Sequence, residues 1–164
     1  MPVRKHNLIY LGSELGMENI STTLTRDHRA CDSLIAAAEE AVEKRHWDEA
    51  GSLFSGFVAS MERHLSKEEE VLFPALEQKI GAGMGPVQVM RKEHGDMRRL
   101  FGEIREDIAQ QQAEHCLGLS DTLLILMQQH NLKEESILYP MADQMLAGEQ
   151  SEVMAKFIAR GGGN

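Results

Sequence analysis

The chain repeats itself at an offset of 66 residues, and few folds accommodate that. His64, Lys67, Glu68, Leu72 and Pro74 align without a gap on His130, Lys133, Glu134, Leu138 and Pro140. At the same offset Met61 meets Met127, His28 meets His94, Leu34 meets Leu100, and Glu40 meets Glu106. The repeated unit is helical in pattern. Apolar or small residues at Leu24, Cys31, Leu34, Ile35, Ala38 and Val42 recur every three or four positions, which makes one helix stripe. Ser21 and Thr22 are candidate N-caps for this helix, and Lys44, Arg45 and His46 put positive charge at its end. A second helix is predicted from an N-cap at Asp48 to about Ile80, kinked at Pro74. The run Gly81 to Gly85 breaks the chain, and Pro86 suits the first turn of a third helix. A fourth helix starts between Glu114 and Ser120 and runs to about Leu146.

No segment alternates as a strand does. Two copies of a helix pair with short connections predict an all-α fold, an antiparallel up-down-up-down four-helix bundle. Residues 1–20 read as an N-terminal arm and 21–148 as the bundle. Residues 149–164 read as a short C-terminal helix over about Ser151 to Ala159 and a loose tail from Arg160.

The repeat sorts the seven histidines. His28, His64, His94 and His130 obey it; His6, His46 and His115 do not and read as surface residues. Within each half the repeating pair is 36 residues apart, centred on residue 46 or residue 112, each at or near a predicted turn. Residues equidistant from a hairpin turn lie side by side. Each pair therefore shares one level, roughly 27 Å from its turn at 1.5 Å per residue. The midpoint of His64 and His94, residue 79, lies close enough to the glycine run to match the two hairpins to about one helical turn. His64 and His130 are each followed four residues later by Glu68 and Glu134, which share their helix face. Glu69 and Glu135, at i+5, point about 140° away on an α-helix.

Four imidazoles and two carboxylates in one layer of an apolar bundle are costly to bury unless something pairs them. Metal resolves the conflict, with two carboxylates bridging two ions and two histidines on each. Imidazole with carboxylate suits iron, with manganese or zinc also possible. Met61, Met90, Met97 and Met127 lie about one turn from three of the four repeating histidines and are expected to be buried, either as a lining that keeps the layer apolar or as ordinary core filling. Cys31 reads as a small buried hydrophobe facing the same interior, and Cys116 as a residue near a helix start without a partner. Tyr139 has Phe73 at its matching position, so the repeat does not require its hydroxyl.

The succession H, HxxxE, H, HxxxE over about residues 22 to 146 resembles the hemerythrin-like, or HHE cation-binding, family. The flanking text is similar too, in Asp27 before His28 and in Leu72-Phe73-Pro74 and Leu138-Tyr139-Pro140. The resemblance implies a non-haem di-iron centre, two irons with an oxo or hydroxo bridge, held by His28, His64, Glu68, His94, His130 and Glu134. It further implies binding of, or reaction with, O₂, NO, peroxide or a small anion at an open iron position. Oxygen-carrying members have a further histidine where this chain has Arg98, and a last carboxylate at i+5 rather than i+4. The four-His, two-Glu set is closer to members associated with iron–sulfur cluster repair, which often carry a cysteine-bearing N-terminal domain; residues 1–20 here hold no Cys. A metal- or small-ligand-binding redox protein is thus expected rather than a dedicated enzyme. The alternative is an iron or redox sensor, or an iron donor.

Charge and cysteine usage narrow the rest. With 26 acidic against 17 basic residues the formal charge is −9, which argues against nucleic acid as a partner. Two cysteines and no CxxC pair exclude a disulfide scaffold or zinc finger and suit a reducing cytoplasm. Arg4, Lys5 and His6 followed by Asn7 to Leu11 faintly resemble a signal peptide, but Gly12 ends the apolar run early. No stretch approaches the roughly 20 apolar residues of a membrane span, so a cytoplasmic protein without a membrane partner is expected.

Overall fold

The computed structural model describes residues 18–83 and 85–161. Most of the expected N-terminal arm, and residues 162–164 of the expected tail, lie outside them. Helix α1 spans Ile20–Glu43 and α2 spans Trp47–Lys67. Helix α2 continues through a π-helical turn, Glu68–Leu72, into α3, Phe73–Ile80. The second half repeats this: α4 Pro86–Ala109, α5 Ala113–Lys133, a π-helical turn Glu134–Leu138, and α6 Tyr139–Met145. Helix α7, Gln150–Gly161, follows. The described residues contain no strand. Hairpins α1–α2 and α4–α5 pack through α2 on α4 and α1 on α5, the expected antiparallel bundle.

The helix ends differ from expectation in instructive ways. The cap of α1 is Asn19, not Ser21 or Thr22. Its side chain accepts from the Thr22 N–H at 2.8 Å, and the Thr22 hydroxyl accepts from the Asn19 N–H at 3.0 Å, a reciprocal capping box. Ser21 is instead committed to Asp143 on α6. Helix α2 begins at Trp47 behind His46, so Asp48 is inside the first turn, where its charge meets the helix dipole. Helices α1 and α4 both end in Schellman motifs. The Arg45 N–H bonds Val42 O and the His46 N–H bonds Ala41 O; Gln111 and Gln112 do the same to Ile108 and Asp107. Arg45 and Gln111, again 66 residues apart, both take left-handed backbone, φ 57° and 59°. At the other end of each hairpin Gly81, Gly83 and Gly85 supply the positive φ of the connection. The C-terminal helix is longer than expected: α7 incorporates Arg160 and Gly161, and Arg160 pairs with Glu70.

At Pro74 there is a widened turn where a kink was expected. The Phe73 N–H reaches back five residues to Glu68 O, and Tyr139 N–H does the same to Glu134 O. Pro74 and Pro140 lack an N–H, and their rings would collide with the carbonyls of residues 70 and 136 in an α-turn. One i→i−5 turn moves those carbonyls aside without breaking the helix.

The core comes in two parts. One, toward the hairpin turns, holds Ile35, Phe54, Phe57, Met61, Met97, Phe101 and Met127. The other, around the π turns, holds Leu24, Leu72, Phe73, Met90, Leu138 and Tyr139, and α7 covers it with Val153 and Phe157. Met61, Met90, Met97 and Met127 are all buried, as expected. Cys31 is buried against Ser60 of α2, at 3.6 Å, and Cys116 is buried in the first turn of α5. No helix among the described residues is long and apolar enough to cross a membrane.

Candidate metal centre

Between the two cores lies a polar layer. His28 comes from α1, His64 from the end of α2, His94 from α4 and His130 from the end of α5. Glu68 and Glu134 each open a π turn. All six are at most 3% exposed. Their ligand atoms gather into two groups, His28, His64, Glu68 and Glu134, and Glu68, His94, His130 and Glu134, with atoms within 4.8 Å of one another. Both glutamates belong to both groups. His46 and His115 are exposed and distant, and His6 lies outside the described residues.

Each imidazole turns its Nδ1 outward onto a carboxylate. His28 meets Glu135 at 2.7 Å, His94 meets Glu69 at 2.8 Å, His130 meets Glu93 at 2.8 Å and His64 meets Asp27 at 3.4 Å. Lysines back two of these: Lys67 bonds Asp27 at 2.7 Å, and Lys133 bonds Glu93. Arg98 reaches Glu69 at 2.7 Å and Glu62 at 2.9 Å. With Nδ1–H given outward, Nε2 is left to face the centre.

The inward geometry is short of positive charge. His28 Nε2 and His64 Nε2 are 3.1 Å apart, and His94 Nε2 and His130 Nε2 are 3.2 Å apart. Two imidazole lone pairs at that distance repel unless a proton or a metal ion lies between them. Among the described residues no hydrogen bond reaches the buried Glu68 Oε2 or Glu134 Oε1, although His94 Nε2 is 3.2 Å from the first and His130 Nε2 is 2.9 Å from the second. Without metal, protons fill the role. Burial disfavours charge on His28 and His94, but the carboxylates outweigh it. Glu134, Glu135 and Glu68 lift His28 to about 9, and Glu68, Glu69 and Glu134 lift His94 to about 9. His130 is raised as well, against its burial, by Glu134 and Glu68. Burial raises Asp27 and Glu69, but His64 with Lys67, and His94 with Arg98, hold them down at about 2. Nitrogen and oxygen donors in this number, with orphaned carboxylate oxygens, are the donor set that a divalent or trivalent transition metal satisfies.

The aromatic residues after the π turns complete the layer. Phe73 stacks on His94 at 5.6 Å, and Tyr139 stacks on His28 at 5.7 Å. The Tyr139 hydroxyl lies 2.6 Å from Glu68 Oε1, 2.8 Å from Glu134 Oε2 and 3.1 Å from His28 Nε2.

The family model described as hemerythrin HHE cation binding domain matches residues 19–142. The chain belongs to this family. Among curated relatives, this HHE domain is 35% identical over 96 residues to the iron-sulfur cluster repair protein YtfE of Enterobacter sp. (strain 638). It is 34% identical to the proteins of that name from Citrobacter koseri and Escherichia coli O81. Each match covers 52% of this chain and 42% of the relative, so the chain spans about two-fifths of their length. No solved structure matches the chain significantly.

Sequence alone assigns no role at the site to the outer carboxylates of the HHE layer or to the Tyr139 hydroxyl within it. The repeat carried part of the signal: Asp27 and Glu93 are 66 residues apart, as are Glu69 and Glu135. Their role needed the knowledge that Nδ1 of each histidine points outward.

Proposed function

We propose that this HHE domain is a non-haem di-iron protein that binds or reacts with a small molecule, O₂, NO or peroxide, inside the bundle. One observation carries the reading: two Nε2 pairs, each with its outer nitrogen engaged, converge on buried carboxylate oxygens that no hydrogen bond satisfies. His28 and His64 would hold one ion, His94 and His130 the other, and Glu68 and Glu134 would bridge them. Bound iron supplies a redox-active Lewis acid able to take up a diatomic or peroxide ligand. The protein's part is positional. Asp27, Glu69, Glu93 and Glu135 fix the ring orientations, and the two apolar cores limit entry of bulk water. With all six residues at most 3% exposed, only a small ligand can reach them without wider opening of the helices.

After iron-replete expression, elemental analysis is expected to return two irons per chain. The reduced protein should change its near-ultraviolet and visible spectrum on exposure to O₂ or NO. Absence of a stoichiometric transition metal would falsify the reading.

The names of the matched relatives favour a second reading, iron donation in repair of iron–sulfur clusters. The two separate in one assay. A donor loses its iron to a cluster-depleted client protein and restores that client's cluster. A binding or redox protein cycles with O₂ or NO at constant iron content.

A further inference from the structure

The two halves of the layer match through the repeat except at one ring. Tyr139 and Phe73 occupy equivalent positions, open α6 and α3, and stack on equivalent histidines. Only Tyr139 carries an oxygen. That oxygen is fully buried and surrounded by Glu68 Oε1, Glu134 Oε2 and His28 Nε2 at 2.6, 2.8 and 3.1 Å. A phenol has one hydrogen and can donate it to one of the two carboxylates, so the other is left against a lone pair. All three neighbouring atoms belong to residues proposed to hold the cations. Their spacing from Oη is that of adjacent donors on one ion, about 3 Å when metal–donor bonds are about 2.1 Å. Phe73 offers no such atom to the His94 half.

We propose that Tyr139 is an additional oxygen donor to the ion held by His28 and His64. The exogenous small ligand then takes its place on the ion held by His94 and His130, beneath Phe73. The inference rests on the di-iron reading. As the Oη–metal bond forms, the Oη–H bond breaks and its proton is released to solvent; no electron is transferred. The π turn makes the placement possible, because on such a turn residues i and i+5 share a face, and Tyr139 is five residues after Glu134.

The test uses the full chain loaded with iron and oxidised to Fe(III). Resonance Raman excitation in the visible should show tyrosinate vibrations, with a phenolate-to-iron charge-transfer band in absorption. Tyr139→Phe should lose both while retaining its iron by elemental analysis. Phe73→Tyr should about double the band and reduce azide binding. Two bound irons with no tyrosinate vibrations in the unaltered protein overturn the inference and leave the di-iron reading standing. Absence of bound iron overturns that reading itself. If Tyr139→Phe fails to fold, the spectrum of the unaltered protein decides.

Discussion

Glu93 shows what the outer carboxylates do. It accepts from His130 Nδ1 at 2.8 Å while Lys133 pairs with it from the solvent side. The bond fixes one tautomer and one ring rotation, so Nε2 faces the layer centre before any ion arrives. Asp27 plays the equivalent part for His64, braced by Lys67. Glu93→Gln or Asp27→Asn is expected to weaken metal binding about 10- to 100-fold, because a carboxamide is a weaker acceptor and adds no basicity to the ring. Competition against a chelator of known affinity measures this, with helix circular dichroism checking the fold. Glu103→Gln, on an exposed α4 pair with Arg99, is the control and should change affinity less than about twofold. Equal effects at Glu93 and Glu103 would mean that general negative charge, not the histidine contact, matters.

At the level of the element, the turns ending α1 and α4 invite a different test. Arg45 and Gln111 sit in left-handed backbone at the C′ position of Schellman motifs, a place that favours glycine. Neither side chain touches the metal layer. Arg45→Gly and Gln111→Gly should each stabilise the metal-free protein by about 0.5 to 1 kcal/mol, relief of backbone strain exceeding the added entropy of the unfolded chain. Urea midpoints measure it, and lower midpoints would show that these side chains make contacts worth more than the strain. These same turns show where sequence was legible and where it was not. Periodicity, the glycine run and Pro86 located four long helices, and the repeat alone put six buried residues on one level. The turns were legible but the left-handed backbone of Arg45 and Gln111 was not, because tertiary packing of the hairpin holds them in a conformation their side chains disfavour. The π turns were equally silent: Pro74 reads as a kink and Pro140 as nothing more than its repeat partner, since the sequence does not show whether a helix bends or widens at a proline. That one step matters for Tyr139. On an α-helix it would point about 140° from Glu134, and the widened turn places it beside that residue.

For the whole molecule, the polar layer divides one bundle into two apolar cores, and its protons and metal compete. In the metal-free protein His28 and His94 are lifted to about 9, against an ordinary value of 6.5. Their contribution to stability is therefore complete below about pH 6.5 and is lost as pH rises through about 9. Asp27 and Glu69 are held at about 2, below ordinary values of 3.8 and 4.5, so their contribution is present above about pH 4.5 and is lost as pH falls through about 2. The metal-free bundle should be most stable between about pH 4.5 and 6.5. Metal needs the same Nε2 atoms without their protons. Loading both pairs displaces about two protons from the histidines, besides the one that the proposed Tyr139 bond releases, and the histidine protons alone make apparent affinity rise by up to about 100-fold per pH unit below pH 9. The two effects act in the same direction on the difference between the forms. As pH rises from about 6.5 to 9 the metal-free protein loses stability while the metal-loaded protein does not, so the gain in Tm on loading must grow. Thermal melts of both forms at steps across that range measure it. A gain in Tm that stays constant with pH would show that the ion displaces no protons from His28 and His94, and so does not sit between the histidine pairs.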